Sequence, residues 1–310
     1  RRPSTVGVGV QSAARSGRQR GDVVKFGIGF ANVMGFGTGA GAKLLGQAAE
    51  QAGFESLWTV EHIVYPEGYE SEYPYDPSGK MPGTSESPIP DPLMWLSAVG
   101  ASTTTLRLAT GISLLPERHP LVFAKEVATL DNMTEGRVEL GVGIGWLKEE
   151  FAALDVPWER RGPRTEEYME VMRAVWAADD VTFEGEFVNF EHLTANPKPA
   201  NRVVPIHIGG HSEAAARRAG RCGDGFWPAK GDLPTLYDIC RQTAADEGRD
   251  PESIELTGQH PGVFGDDPQA AVEELASWGA SRTMVPSIMF LRDPENSILE
   301  WGSRVIGTAG

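Results

Sequence analysis

Eight short strand-like runs alternate with helical patterns along most of this 310-residue chain. A repeated strand–helix unit places consecutive strands side by side and parallel, with the helices covering the sheet. Eight such units predict an α/β fold, a (β/α)8 TIM barrel with insertions. The predicted strands are Val23–Phe30, Ser56–Glu61, Leu106–Ile112, Val138–Gly143, Pro205–Gly209, Asp224–Pro228, Ile254–His260 and Arg282–Pro286. The helices are predicted to begin near Ala40, Asp91, Leu121, Pro163, Ser212, Leu233, Pro268 and Pro294.

The helix predicted from Pro268 carries the most complete set of end signals. Asp267 can cap its first turn, and proline fits the first helical position. Gly279 can take the left-handed conformation that stops a helix. Ala271 and Leu275 share one face, so we expect that face to pack on the barrel.

Composition and charge narrow the functional classes. Hydrophobic residues make up 40% of the chain, which is enough for a large core, and residues 23–310 are predicted to form one domain. The net charge of -15 argues against a general surface for nucleic acid or for an anionic membrane. Cys222 and Cys240 fit neither a zinc motif nor a redox pair, which favours a reducing cytoplasm.

The first 22 residues differ in composition from the rest. Residues 1–22 hold five arginines, one acidic residue and no sustained apolar run. The remainder therefore carries -15 minus +4, or -19. We predict that residues 1–22 are a disordered extension outside the fold.

Two insertions interrupt the strand–helix alternation. Residues Val181–Phe190 alternate around Gly185 and predict a β-hairpin outside the barrel. Residues Glu61–Pro92 contain seven prolines, seven acidic residues and four of the six tyrosines of the chain. A long proline-rich loop of this kind is either functional or disordered, and the tyrosines favour an ordered lid over the barrel mouth.

The strand Val138–Gly143 runs through glycines into a helix that opens on two acidic residues. Gly141, Gly143 and Gly145 place no side chain at the strand end, so either a flat ligand or a second backbone can approach closely. Glu149 and Glu150 follow in the first helical turn, where the helix dipole favours negative charge. Two interpretations stay open, a ligand site and a tightly packed barrel interior.

Candidate site residues follow from the position of active sites in such barrels. Active sites lie at the carboxyl ends of the strands. Among the predicted strands, that rule selects His62, Gly111-Ile112, Gly145-Trp146, Gly209-Gly210, Trp227 and His260.

His62 and Glu61 are the candidate catalytic residues. An imidazole can give a proton to a substrate, or take one from it, near neutral pH. A carboxylate at a strand end can turn toward the histidine, so Glu61 is the expected partner of His62. A histidine that only caps the chain is the alternative.

A phosphate site is predicted where the strand ending at Gly209-Gly210 meets the helix that begins near Ser212. Backbone amides at a helix start, together with a serine hydroxyl, suit a phosphate group. An ordinary capped turn is the alternative interpretation of this segment.

Five segments carry a resemblance to a known family. They are Trp58–His62, Thr110–Pro120, Ala128–Asp131, Pro205–Ser212 and Gly223–Trp227. In this order and spacing they resemble the bacterial luciferase-like family of flavin and deazaflavin oxidoreductases. The resemblance covers residues 23 to 310 and is closest to the actinobacterial branch that uses the deazaflavin coenzyme F420.

The resemblance implies a cofactor, a chemistry and a set of contacts. In that branch an acid–histidine pair, here Glu61 and His62, flanks the deazaflavin ring. The pair Gly111-Ile112 is implied to form a cis peptide behind the ring, and Gly209, Gly210 and Ser212 to bind its phosphate. Gly145 and Trp146, at the end of the strand Val138–Gly143, are also predicted to bind the cofactor, and an aromatic of the barrel core is the alternative interpretation of Trp146. The family also implies a homodimer.

Trp146 departs from one group in that branch. The sugar-phosphate dehydrogenases carry a catalytic glutamate at this strand end, so the tryptophan argues against glucose 6-phosphate as the substrate. An aromatic side chain there suits an apolar wall.

Three functions are compatible with these residues. The first is hydride transfer between F420 and a small organic substrate, with His62 handling the proton. The second is an FMN-dependent monooxygenase, and the third is a flavin-binding protein without catalysis. The motifs indicate a small-molecule substrate and no metal centre.

Overall fold

The structure, a computed structural model, describes residues 24–307, so the predicted extension 1–22 lies outside the described residues. Eight parallel strands close into a barrel in the spatial order β1-β10-β9-β8-β7-β4-β3-β2. This confirms the predicted (β/α)8 fold. The barrel strands are β1 (Lys25–Gly29), β2 (Ser56–Thr59), β3 (Arg107–Leu114), β4 (Val138–Gly143), β7 (Ile206–Gly209), β8 (Gly225–Trp227), β9 (Glu255–Gly258) and β10 (Arg282–Pro286).

Helices surround the barrel, and the eight predicted starts are confirmed to within two residues. Within residues 24–307, none is both long and apolar enough to cross a membrane. The helices are α1 (Gly39–Gln51), α2 (Pro92–Gly100), α3 (Pro120–Met133), α4 (Lys148–Ala153), α5 (Arg161–Ala177), α6 (Glu213–Cys222), α7 (Leu233–Asp246), α8 (Pro268–Ser277) and α9 (Pro294–Trp301).

Helix α8 has the predicted ends. The Asp267 side chain accepts a hydrogen bond from the amide of Ala270, and Pro268 occupies the first turn. Gly279 follows the helix with φ +88°, the left-handed conformation that glycine adopts without strain. Leu275 is fully buried, so the predicted apolar face packs inward.

Strand β3 extends two residues beyond its predicted end at Ile112. Its pairing with β4 shifts register between Thr110 and Ser113, and Leu114 then pairs with Gly143. A bulge of this kind inserts an extra residue without ending the strand. The end of β3 is therefore set by its ladder with β4, which continues to Leu114.

The predicted hairpin is confirmed outside the barrel. Strands β5 (Val181–Glu184) and β6 (Asn189–Leu193) pair antiparallel as a separate two-stranded sheet. The Glu167 carboxylate on α5 accepts hydrogen bonds from three amides of the connecting turn, and this holds the hairpin against the helix.

Aromatic side chains fill the barrel interior, and one glycine makes room for them. Trp58, Trp227, Ala109 and Met284 form a separate buried cluster inside the strands. A Cβ on Gly141 would lie 2.1 Å from the carbonyl oxygen of Thr110 and 3.3 Å from the Trp58 ring. Gly141 is therefore a packing position, as one of its two open interpretations predicted.

A buried network of charges closes the amino-terminal end of the barrel. Arg282 is fully buried, and its guanidinium donates to Glu55 at 2.9 Å, Glu139 at 3.0 Å and Glu255 at 3.3 Å. Arg107 also donates to Glu139, and Lys25 lies 3.6 Å from Glu55. Three cations thus face three carboxylates, which compensates each charge for its loss of water.

One set of ligand-type atoms lies within this network. Single side-chain atoms of Glu139, His207 and Glu255 lie within 4.8 Å of one another, a spacing that a metal ion can bridge. Arg282 donates into the same two carboxylates and already neutralises them. We interpret the group as an ion-pair network at the end of the barrel remote from the candidate site.

Candidate active site

A histidine–carboxylate pair lies at the carboxyl end of the barrel. The His62 ring follows β2, and its Nδ1 lies 2.7 Å from Oε2 of Glu150 on α4. Glu150 is fully buried, and its Oε1 accepts hydrogen bonds from the amides of Ile63 at 2.6 Å and Val64 at 3.1 Å. The carboxylate therefore fixes the orientation of the ring and leaves Nε2 as the nitrogen free for proton exchange.

The expected pairing of Glu61 with His62 is wrong. The Glu61 carboxylate accepts from the amide of Leu114 at 2.6 Å and forms an ion pair with Arg118. Successive side chains of an extended chain point to opposite sides, so neighbours in sequence rarely face each other. Glu61 consequently ties the end of β2 to the loop after β3, while Glu150 takes the position beside His62.

The cis peptide expected at Gly111-Ile112 is present in the structure. A Cβ on Gly111 would lie 2.5 Å from the Trp227 ring. A Cβ atom added to Gly143 would lie 2.4 Å from the Ile112 side chain, and one added to Gly209 would lie 2.6 Å from it. The Ile112 side chain therefore packs directly on both glycines. Ile112 on β3, Gly143 on β4 and Gly209 on β7 thus meet near the carboxyl ends of their strands and, with the adjoining Gly111, form a smooth apolar floor.

Gly145 and Trp146 lie beside His62. Gly145 has φ +79°, and a Cβ there would lie 2.5 Å from the Phe151 ring, so both its backbone conformation and its packing require glycine. The Trp146 ring contacts the His62 ring edge-on at 5.7 Å between centroids. Tyr69 and Tyr73 meet the same indole at 5.7 and 5.1 Å, which makes Trp146 the centre of an aromatic cluster.

The predicted lid is ordered and crosses the barrel mouth. Between β2 and α2, the loop places Tyr73 on Trp146 and Tyr75 on His211, which follows β7. Lys230, after β8, donates to the carbonyl of Pro74. Burial raises the pKa of Tyr73 to about 12, so the phenol stays protonated at neutral pH. The lid therefore spans the β4, β7 and β8 sector of the mouth.

One carboxylate on α4 latches this lid. Glu149 accepts hydrogen bonds from the amides of Glu70 and Ser71 and from the Ser71 hydroxyl, at 2.8, 3.1 and 2.6 Å. Burial acts to raise the pKa of Glu149, but these donors outweigh it and lower the value to about 2. A lowered pKa in the folded state means that the latch is intact above about pH 4.3 and is lost as the pH falls toward 2.

Replacing Glu149 by alanine should loosen the lid without unfolding the barrel. The variant removes three hydrogen bonds from residues 70–71, so proteases should cleave within residues 67–90 at least several times faster than in the wild type. The measurement is limited proteolysis at pH 7 with mass mapping, and the matched control is Glu86→Ala, an exposed carboxylate on the same loop. Equal cleavage rates in the two variants would contradict a latch at Glu149.

A second buried carboxyl group lies close to the pair. Both oxygens of Glu117 are buried and lack a hydrogen-bond partner among residues 24–307. Burial, followed by the charges of Glu150 and Glu61, raises the pKa of Glu117 to about 9. Glu117 therefore carries a proton at neutral pH and offers an O–H donor near Gly145.

The predicted phosphate segment opens helix α6. Ser212 caps the helix by accepting from the amide of Ala215 at 3.2 Å, and Gly210 has φ +125°. First-turn amides of a helix have no partner within the helix and remain available to an anion. His211 lies in the same turn, and burial followed by the charge of Lys230 lowers its pKa, which favours the neutral ring.

Sequence reasoning did not identify the roles of Glu150, Glu117 and Arg118. Glu150 was interpreted only as an acid favoured by the helix dipole, although an acid one turn into a helix at the mouth can reach the site. Arg118 lies 57 positions from Glu61, and no local pattern connects them.

Comparison with known proteins shows the family of the chain. The family model described as luciferase-like monooxygenase matches residues 33–298. The chain belongs to this luciferase-like family. The F420-dependent glucose-6-phosphate dehydrogenase of Nakamurella multipartita is 32% identical over 245 residues, which cover 76% of this chain and 67% of that relative.

Two solved structures show the same luciferase-like fold. The F420-dependent tetrahydromethanopterin reductase of Methanopyrus kandleri superposes with a TM-score of 0.71 at 18% identity, over 93% of this chain and 100% of that one. The monooxygenase RslO1 of Streptomyces bottropensis gives 0.70 at 23% identity, over 92% and 100%. Members of this family include oxidoreductases that depend on F420 and monooxygenases.

Proposed function

We propose that this protein transfers a hydride between coenzyme F420 and a small neutral organic substrate at the carboxyl end of the barrel. The observation that carries the proposal is the His62–Glu150 pair, which lies at the carboxyl end of the same barrel as the Gly111-Ile112 floor. The similarity to an F420-dependent dehydrogenase at 32% identity supports the choice of cofactor.

The residues at the mouth fit a flat cofactor with a polar edge. The floor offers a smooth apolar surface, where Ile112 lies over the glycines at 143 and 209. Around it lie buried polar groups without a hydrogen-bond partner among residues 24–307, namely Ser113 Oγ, Glu117 Oε1 and Oε2, His211 Nδ1 and Trp227 Nε1. Buried polar groups left unpaired are costly, and the amide edge of a flavin-type ring could satisfy them.

We assign the holding contacts to particular segments. Gly111 and Ile112 would support the ring, and Gly145 and Trp146 would flank it. The turn at Gly209, Gly210 and Ser212 would hold the phosphate through the Ser212 hydroxyl and the first amides of α6, since the Gly210 amide already donates to the carbonyl of Trp227. When bound, F420 supplies a carbon that accepts or gives a hydride.

The side chains of the protein handle the proton and exclude water. With an alcohol as the substrate, Nε2 of His62 would take the hydroxyl proton while the bound cofactor would supply the hydride acceptor; in the opposite direction His62 would return the proton. Glu150 holds the ring in place and stabilises the imidazolium that results. Trp146 and the lid tyrosines cover the site, which strengthens each electrostatic interaction inside it.

An FMN-dependent monooxygenase is the second candidate function. The description of the family and the similarity to RslO1 favour it. Both candidates use the same barrel mouth, so the identity of the bound cofactor separates them.

F420 should bind at least tenfold more tightly than FMN, a difference of about 1.4 kcal/mol. The basis is the 32% identity to an F420-dependent dehydrogenase, together with the apolar floor and the unpaired polar groups around it. The measurement is equilibrium titration of the full chain with each cofactor, followed by absorbance and fluorescence. FMN binding as tight as F420 binding, or tighter, would favour the monooxygenase. Tight binding without turnover of any tested substrate would favour a flavin-binding protein.

A further inference from the structure

Six exposed apolar side chains lie on one sector of the barrel mouth. They follow β10, β1 and β2, which are consecutive in the barrel, and the lid described above spans the sector across from them. Their exposed fractions run from 38% to 53%, and exposed apolar groups concentrated in one region mark a binding surface. We call this set the apolar rim; it consists of Phe30, Met34, Ile63, Val64, Ile288 and Met289.

Hydrogen bonds join the three loops of the rim into one surface that ends at His62. The Ser287 hydroxyl donates to the carbonyl of Phe30 at 2.7 Å. The Asn32 side chain accepts from the amide of Val60 at 2.8 Å and donates to its carbonyl at 2.9 Å. The rim residues Ile63 and Val64 follow His62 directly, and Glu150 holds their amides. A molecule on the rim therefore lies next to the imidazole.

The six rim side chains carry no charge. Charged residues make up 23% of the chain, yet the segments 30–38 and 286–291 contain none, and the exposed Arg292 and Asp293 follow only after the second of them. Other cations lie on the far side of the mouth, where Lys230 follows β8 and Arg161 donates to the carbonyl of Gly145. A ligand group that covers the six rim side chains would lose water without gaining a polar partner from them, so the rim favours uncharged hydrocarbon.

Two rim residues adopt a backbone conformation that is unusual for their type. Phe30 and Met34 both have φ +56°, in the left-handed region that bulky residues rarely enter. Such conformations cost free energy and concentrate at binding and catalytic sites, where the surrounding structure imposes the position of the side chain. Here they place two large apolar groups at the open edge of the mouth.

We infer that the apolar rim binds the hydrocarbon part of an uncharged substrate, whose reacting group then lies beside His62. This inference rests on the proposed function and narrows its substrate to neutral compounds with several consecutive carbons. The position of His62 next to the rim favours a substrate over a second protein chain as the ligand of the rim. A substrate can exchange a proton with the imidazole, whereas a protein interface does not require one at its edge.

The test uses the straight-chain 2-ketones from 2-butanone to 2-nonanone as ligands. Their dissociation constants are measured on the full chain by ligand-observed NMR, without cofactor and with saturating F420. We expect the affinity to rise about fourfold with each added methylene, the factor that burial of one CH2 group gives. Phe30→Asn, which tolerates the left-handed backbone, and Ile288→Lys should each lower this factor below two. Val203→Lys, an exposed apolar residue away from the mouth, is the matched control and should retain the wild-type factor.

The outcomes separate the rim from the proposed function. An unchanged factor in both rim variants, no ketone binding at all, or tighter binding of glucose 6-phosphate than of 2-nonanone would overturn the rim as a hydrocarbon site. A change of sedimentation coefficient in the rim variants, with ketone binding unaltered, would assign the rim to a protein interface and also overturn it. If the gain in ketone affinity per methylene falls in the rim variants but the protein does not bind F420, the rim is upheld as a hydrocarbon site and the proposed function is contradicted.

Discussion

Replacing His62 by alanine should lower turnover with F420 by about a hundredfold or more, the usual contribution of a general acid or base. The variant loses the nitrogen that faces the mouth, while the floor and the phosphate turn stay intact. The affinity for F420 should therefore change far less than turnover. The measurements are kcat under saturating cofactor and an independent titration of F420 binding.

Two further variants separate proton transfer from packing. His62→Gln keeps a hydrogen-bonding side chain but cannot exchange a proton near neutral pH, so it should be as slow as His62→Ala and lose the same limb of the pH profile. Glu150→Gln should have a smaller effect, because the amide still accepts from Ile63 or Val64 but no longer stabilises an imidazolium. Near-normal turnover in His62→Ala with an unchanged pH profile would show that His62 is only a capping residue.

Replacing Arg282 by methionine should cost about 3–5 kcal/mol of the free energy of unfolding, the range for a buried ion pair that loses one partner. Arg282 is fully buried and donates to Glu55, Glu139 and Glu255 together, so its loss removes the cation that these three carboxylates share and leaves Arg107 beside Glu139 and Lys25 beside Glu55. We expect a fall of several degrees or more in Tm, measured by calorimetry. Arg217→Met, which breaks an exposed pair with Glu213 four residues away, should cost under about 1 kcal/mol.

The pH dependence of the Arg282 variant gives an independent check. Burial acts to raise the pKa of Glu139, but Arg282 and His207 hold it well below its usual range. In the wild type that stabilisation is present above about pH 4.3 and is lost as the pH falls through the lowered pKa. In Arg282→Met the Glu139 carboxyl group protonates at a higher pH. The difference in the free energy of unfolding between the wild type and this variant should therefore decrease below about pH 4.3. A deficit that is constant from pH 8 to pH 3.5 would contradict the assignment.

The fold was predictable because its signals are local. Each strand run and each helix carries its own periodicity and end residues, as Asp267, Pro268 and Gly279 show for α8. The hairpin β5–β6 was predictable for the same reason. The extension of β3 to Leu114 depends on its ladder with β4, which continues past the register shift between Thr110 and Ser113, and pairing with another strand is not a local signal.

The candidate site was only partly predictable. The rule that active sites lie at strand ends selected His62, Gly111-Ile112 and Gly145-Trp146, and in the structure the rings of His62 and Trp146 are in contact. The same rule also selected His260, which instead caps a short turn by accepting from the amide of Gly262 and lies 3.1 Å from Glu274. Strand-end position therefore finds the region but not the orientation of each side chain.

By itself, the sequence determined the barrel, the lid segment and the histidine at the mouth, because periodicity, end residues and strand order are properties of neighbouring residues. Only the tertiary structure decided which acid serves His62, since Glu150 is 88 residues away and reaches it through the closure of β2 and β4 around one mouth. It likewise decided that Glu61 faces Arg118, because the side on which a residue of extended chain projects depends on the strand register. Pairing across a barrel is set by how the strands close, and no segment of the chain encodes that closure alone.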